Sequence, residues 1–505
     1  MTATTTPTRP PATAHRSPAL SYLRLLRIEL RRSPMLLIAP LIAGLFWFDS
    51  YRPSTSQQPL FVLRTFWNMG QGHTIIDFGP IVAGMAAWIG ARDGRRGTAD
   101  LITTMTRSRW TARLAAHTAA AVWAAVMYVV AVGALFGVYA HQGVTGTPPW
   151  WWAGVGLAAV IAFTSFGYAV GALFPSQFAA PVAAFAGFLA LMMSSQTSFR
   201  SYSGWALILP TNSNGNFQLD SGTFYPYLRD LPVARILFFA GILVATLGLL
   251  GAAARSDGRR LRQVAAAITA LGVALSGTAV GLAATGRLRP HGIVIPALHD
   301  AAQDRDLAYT PVCAPAGGAQ VCLNPAYARF LTSVTAGLTP ALAEVSGLPG
   351  APARIDQVGA LYNGSDAGLA GTPPVVHLDL RGVQGFVPGR TGLSSAPTSA
   401  AQFNGLLQLR FARTFVGVTG HPTALGTPAQ QAVVAELLHG LGIPYADQPA
   451  LLTLGEPGRA PTPATGQVYP AAQRLAALSA AGRTAWLSAN LPALRAGTLT
   501  LEQLP

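Results

Sequence analysis

The chain has 505 residues, of which 51% are hydrophobic and only 10% charged. Soluble domains carry about 25% charged residues, so this composition excludes a wholly water-soluble protein and describes a chain partly dissolved in lipid. The net charge of +15 is not a nucleic-acid footprint: residues 1–284 hold 21 Arg against 8 acids, and residues 285–505 hold 13 against 11, so the excess belongs to the apolar half.

Residues 1–17 are rich in Thr and Pro, have no long apolar run, and predict a disordered cytoplasmic tail rather than a signal peptide. Residues 18–33 set Leu20, Leu23 and Ile28 against Arg24, Arg27, Arg31 and Arg32. That pattern suits either an amphipathic helix on an anionic membrane surface or the cytoplasmic extension of the first span. The first span, Met35–Phe48, has 14 residues before Asp49, short of the roughly 20 a bilayer core requires. Longer apolar stretches follow at Ile75–Ile89, Ala115–Tyr139, Trp150–Phe174, Phe178–Met193, Pro232–Ala253 and Val264–Ala284.

Arginine placement predicts the orientation. The amino-terminal segment, the 90–113 loop and the 255–262 loop hold six, six and four Arg; the 140–149 loop has none, and the 49–73 and 196–231 loops have two each. The positive-inside rule puts the first three in the cytoplasm and, after seven crossings, everything from residue 285 onward outside. Trp150, Trp151 and Trp152 sit where an aromatic belt marks the outer interface, and Pro175-Ser176-Gln177 reads as a tight cytoplasmic turn. The two cysteines, Cys313 and Cys322, are separated by eight residues including Gly317-Gly318. With no CxxC and no nearby His cluster, a disulfide across a hairpin is favoured over a free or metal-binding pair.

Beyond Gly286 the long apolar runs stop. The pattern predicts helices at Pro325–Val345, Ala400–Val416, Pro428–Leu441, Ala471–Ala481 and Thr484–Leu494, and strands at Leu307–Val312 and Val375–Leu380. The fold class is therefore an α-helical polytopic membrane protein of six to seven spans over residues 18–284, followed by a small α+β extracytoplasmic domain over 285–505.

The segment 91–121, ARDGRRGTADLITTMTRSRWTARLAAHTAAA, resembles the cytoplasmic loop between the second and third spans of type-2 ABC exporter permeases. Arg95 and Arg96 match the basic lead, Gly97-Thr98-Ala99-Asp100-Leu101 the start of a short helix, and Ser108-Arg109-Trp110 the entry to the next span. On its own terms Thr98 can cap a helix, Asp100 favours its positive end, and Leu101, Ile102 and Met105 make one apolar face. The resemblance covers residues 18–255 and implies that Arg95, Arg96, Gly97, Thr98, Asp100, Leu101 and Arg109 dock onto a separate ATPase subunit. It also implies pairing with a second permease, identical or related, and a bacterial cell membrane. The C-terminal region, especially YTPVCAPAGGAQVCLNPAYARFL and the later EVSGLPGAP, looks like an extracytoplasmic domain found on permease-like proteins of high-GC bacteria, and the likeness implies no activity. The chain has no lysine, so it cannot supply the Gly-Lys-Ser/Thr of a P-loop, and ATP belongs to the partner subunit. No cofactor is expected in this chain, and its partners are an ATPase, a second permease and membrane lipid, with no nucleic acid.

Other motifs carry less chemistry. Ala435-Glu436-Leu437-Leu438-His439 lacks the first His of HExxH, so an ordinary surface helix is favoured over a metal site. His291, His299, His377 and His421 show no ligand spacing, and there is no GxSxG. Asp77 is the one acid close to the lipid core; it is a functional suspect, but a solvated helix start is favoured. Gly277 and Gly281, extended by Ala270 and Ala274, form a small-residue face that could pack against a neighbour. The rival to a transporter is a membrane-anchored extracytoplasmic sensor or hydrolase.

Overall fold

The computed structural model describes residues 18–50, 73–96, 109–198, 207–209, 222–252, 258–361, 364–365, 367–380, 399–419, 425–453 and 466–505. The tail predicted at 1–17 lies outside them.

Among the described residues the longer helices of the first half are α1 Pro18–Arg32, α2 Ala39–Ser50, α3 His73–Gly90, α4 Arg109–His141, α5 Trp150–Leu173, α6 Ala179–Ser198, α7 Asp230–Ala252 and α8 Arg259–Ala284. Among the described residues five stretches are long and apolar enough to cross a membrane: Tyr22–Phe48, Trp110–His141, Trp150–Leu173, Asp230–Ala252 and Arg259–Ala284. Phe78–Gly90 and Ala179–Met193 are shorter apolar helices. This bundle is compatible with a multi-pass membrane protein. The first stretch is longer than its sequence suggests. Ser33 and Pro34 interrupt it with a 3-10 turn over Pro34–Ile38, yet α1 and α2 continue across the break.

Glycines set how closely the helices approach. Gly167 and Gly171 of α5 lie on the backbone carbonyls of Ala83 and Ala87 of α3, so a Cβ at either would overlap its neighbour. The partner numbers rise together, which makes the two helices parallel. Gly241 and Gly248 of α7 meet Gly272, Ser276, Ala265 and Thr269 of α8 with opposed numbering, so that pair is antiparallel. Small residues allow backbones to approach where large apolar side chains would hold them apart. The face expected at Gly277 and Gly281 is open, with nothing near either. Gly272, on another side of the same helix, makes the contact instead. Gly, Ala and Ser occur on every side of α8, so small-residue spacing could not identify its buried side.

The second half begins with a hairpin, β1 Arg287–Arg289 and β2 Gly292–Val294. A five-stranded sheet follows, with β3 Val312–Ala316, β4 Ala319–Leu323, β5 Arg354–Val358, β8 Gly368–Ala370 and β9 Val375–Asp379 in the order β3-β4-β5-β9-β8. A two-residue ladder joins β6 Ala360–Leu361 to β7 Gly364–Ser365. The central strands β4, β5 and β9 are parallel and the two edge strands antiparallel. The β4-to-β5 crossover is α9 Leu331–Val345, and the helices α10 Ala400–Phe415, α11 Pro428–Gly440, α12 Gln448–Thr453, α13 Val468–Ala476 and α14 Ala480–Arg495 complete the unit. Val321, Ile355, Val376 and Leu378 of the sheet share one core with Leu338 and Leu342 of α9 and Leu407, Phe411 and Phe415 of α10.

Cys313 and Cys322 stand directly opposite each other on β3 and β4 and are joined by a disulfide. Gly317 and Gly318 make the turn with φ of 53° and 88°, the doubly positive geometry a tight hairpin requires. The strand expected at Leu307–Val312 is displaced: those residues have no ladder partner until Val312, and β3 runs to Ala316.

Several contacts join the halves. Phe224 and Tyr225, ahead of α7, belong to the core of the C-terminal unit. Phe224 packs edge-on to Tyr309 at 5.7 Å and accepts the Leu307 amide at 2.8 Å, while Thr145, after α4, donates to the Ala326 carbonyl at 3.0 Å.

Candidate functional site

The segment singled out by sequence runs from the end of α3 to the start of α4. Arg92–Arg95 forms a single helical turn after Gly90, and Gly94 of that turn packs on Pro175 beyond α5. Arg95 lays its guanidinium over the Trp88 ring at 3.3 Å and donates to the Trp88 carbonyl at 2.7 Å, so this expected basic residue faces back onto its own helix. Arg96 ends the turn. Gly97, Thr98, Asp100 and Leu101 lie outside the described residues, as do the side chains of Arg109 at the start of α4 and Asp77 within α3.

Sequence reasoning missed the pairing that organises this end. Arg92 donates through both terminal nitrogens to Glu29 of α1, at 3.1 and 3.0 Å, with Asp93 at 3.5 Å. The hydrogen bond to Glu29 outweighs burial and raises the Arg92 pKa above its ordinary value. Bidentate arginine–carboxylate contacts fix orientation as well as charge. On its other side α1 holds α4: Tyr22 and Thr118 share a hydroxyl–hydroxyl bond at 3.0 Å, and Trp123 donates to the Leu30 carbonyl at 2.9 Å. Leu30 lies in the last turn of α1, where carbonyls have no helical partner. Trp110, at the foot of α4, donates to the Leu247 carbonyl of α7 at 3.2 Å. Thus α1 grips both the chain entering residues 97–108 and the helix leaving them.

One turn above Arg113, His117 is buried with its Nε2 2.9 Å from Ser165 Oγ and its ring edge-on to Tyr168 at 5.6 Å. Ser165 gives its own proton to the Ile161 carbonyl at 2.7 Å. His117 Nε2 is therefore the donor, and Nδ1 is left as a buried acceptor without a hydrogen bond. The available signal was a lone ionisable residue in the run Ala115-Ala116-His117-Thr118-Ala119.

In the C-terminal unit the expected surface helix is a buried one. Glu436 of α11 is 1% exposed and meets Arg483 of α14 at 2.9 Å, with Glu344 3.5 Å from the same guanidinium. Burial raises the Glu436 pKa and the arginine opposes that shift. His439 stacks on Tyr445 at 4.5 Å, His291 stacks on Tyr225 at 4.4 Å, and His377 lies in β9. Among the described residues no three His, Cys, Asp or Glu are grouped to hold a metal ion. A cleft of about 500 Å³, counted to its open mouth, is lined by Leu409, Arg413, Gln431, Leu438, Gln448 and Tyr469. Comparison of the chain with protein-family models, curated proteins and solved structures finds no match.

Proposed function

We propose that this chain is the membrane-spanning subunit of an exporter driven by a separate ABC ATPase, of the type-2 permease class that its 91–121 segment resembles. Seven crossings, counting α3 and α6 with the longer spans, leave the amino terminus in the cytoplasm and residues 285–505 outside. A second permease, identical or related, completes the pathway in the lipid bilayer, and the partner ATPase binds the ATP. The chain performs no chemistry on its cargo.

The observation that carries this reading is the grip of α1 on both feet of residues 97–108. A force applied to that segment is passed at once to α3 through Arg92–Glu29 and to α4 through Tyr22 and Trp123. Coupling requires two states and an element that both partners bias, and such a bracket provides the element.

The test is affinity purification of the tagged full-length protein in mild detergent, with an ATP-hydrolysis assay on what co-purifies. A P-loop ATPase is expected, and replacing Asp100 and Leu101 together releases it. Glu29→Gln retains the ATPase but lowers cargo-stimulated hydrolysis about threefold to tenfold, the size of an ordinary net hydrogen-bond loss. Recovery without any ATPase from the native host, across several detergents, would overturn the proposal. The rival sensor or hydrolase draws on the C-terminal cleft. In that case Gly97, Asp100 and Leu101 tolerate substitution as long as positive charge remains.

A further inference from the structure

The junction between α7 and the C-terminal unit holds a charge arrangement with an unusual requirement. Asp230, the first residue of α7, is fully buried. Its Oδ2 accepts the Ile295 amide at 2.9 Å and faces His299 Nδ1 at 3.2 Å, while Oδ1 has no hydrogen-bond partner. The other ring nitrogen, Nε2, faces both oxygens of Asp304 at 3.1 and 3.2 Å. Ionised carboxylates only accept, and a neutral imidazole donates from one nitrogen only, so with both carboxyls ionised the two contacts are made together only by the imidazolium.

We propose that Asp230, His299 and Asp304 form a protonation-dependent latch, closed in acid and released in base, that ties the C-terminal unit to the end of α7. When His299 loses its proton, one ring nitrogen turns a lone pair toward a carboxylate. If Nδ1 keeps the proton, the Asp304 contact breaks; if Nε2 keeps it, Asp230 loses a bond. Either way Asp230 becomes a buried anion without a cation beside it, an arrangement that buried carboxylates do not tolerate. The Ile295 amide is then held by the least stable member of the junction.

The neighbouring charges do not replace the imidazolium. Arg229 is engaged by Asp300 at 3.3 Å, and Arg235, one turn into α7, donates to the Leu207 carbonyl at 2.9 Å. On the hairpin, His291 pairs with Asp306 at 3.6 Å and Arg287 and Arg289 are exposed. Burial disfavours the charged form of His299, but hydrogen bonds and charge from Asp304 and Asp230 outweigh it and raise its pKa. A raised value gives stability that is complete below the unfolded pKa and is lost as pH rises through the folded one. Nothing in this latch requires an ATPase partner.

Hydrogen exchange of the full-length protein in detergent tests it directly, followed on peptides covering Ile295 from about pH 5 to about pH 9 after correction for intrinsic rates. In the unsubstituted protein, protection falls about tenfold or more across a midpoint above the ordinary histidine value of 6.5. His299→Gln gives low protection at every pH, and Asp304→Asn, which changes an exposed partner only, moves the midpoint downward. The latch is refuted if protection in the unsubstituted protein is flat across the range. Should His299→Gln prove too unstable to measure, an unmoved midpoint in Asp304→Asn refutes it equally. Protection lost at the same pH throughout the C-terminal unit, rather than at the junction, would also overturn it.

Discussion

The α3–α5 contact and the C-terminal core are both closely packed, yet by opposite means. Where α3 meets α5, atoms are missing: Gly167 and Gly171 bring backbone against backbone at Ala83 and Ala87. In the C-terminal core, space is filled by Leu338, Leu407, Phe411, Phe415 and Tyr327, all nearly inaccessible. Water drives large apolar side chains together, whereas lipid offers no such drive and rewards close approach of small residues instead. One chain thus carries two packing rules, a contrast compatible with an apolar multi-pass bundle joined to a unit built on a side-chain-filled core.

The comparison can be broken by exchanging the rules. Gly171→Leu places a side chain where the Ala87 carbonyl stands and is expected to cost at least about 3 kcal/mol, read as lost thermal stability of the detergent-solubilised protein. Leu338→Ala does the converse in the second core and costs about 2–5 kcal/mol. If Gly171→Leu were tolerated, or Leu338→Ala left stability unchanged, the contrast would fail.

A sharper test uses the buried carboxylate. Arg483→Met strands Glu436 and is expected to cost about 3 kcal/mol at neutral pH, with Glu436→Gln recovering most of it. Because Glu436 has a raised pKa, the stranded carboxyl favours its protonated form. Stability of the Arg483→Met variant therefore improves toward acid and declines as pH rises through the folded value. Thermal unfolding across pH reads both effects. The smallest change belongs to α8: Gly277→Ala enters open space and shifts stability by no more than about 0.5 kcal/mol, whereas Gly272→Ala, on the α7 contact, is destabilising.

Much of the architecture was legible locally. The apolar stretches, the helices beginning at Ala400 and Pro428, and the hairpin behind Gly317-Gly318 follow from periodicity, capping and turn chemistry that neighbouring residues carry between them. Thr427 and Gln430 even form the reciprocal cap that starts α11. The first candidate stretch runs over Tyr22–Phe48 although Ser33-Pro34 breaks its helix. Of the site, Arg95 and Arg96 were marked while Arg92, the residue that makes the bidentate pair, passed as one charge among several.

Composition and order by themselves determined that the first half is apolar, where its arginines cluster, that no P-loop can exist in a chain without lysine, and which residues form most helices. These depend on hydrophobicity, side-chain type and local backbone preference, all of which act over a few residues. Only the tertiary structure decided which face of α8 is buried, that Phe224 and Tyr225 enter the core of the C-terminal unit, that Glu29 meets Arg92 across 63 residues, and that Asp230 meets His299 across 69. Such pairings depend on which surfaces come together, and many partners of the same charge or size are equivalent until the fold selects one.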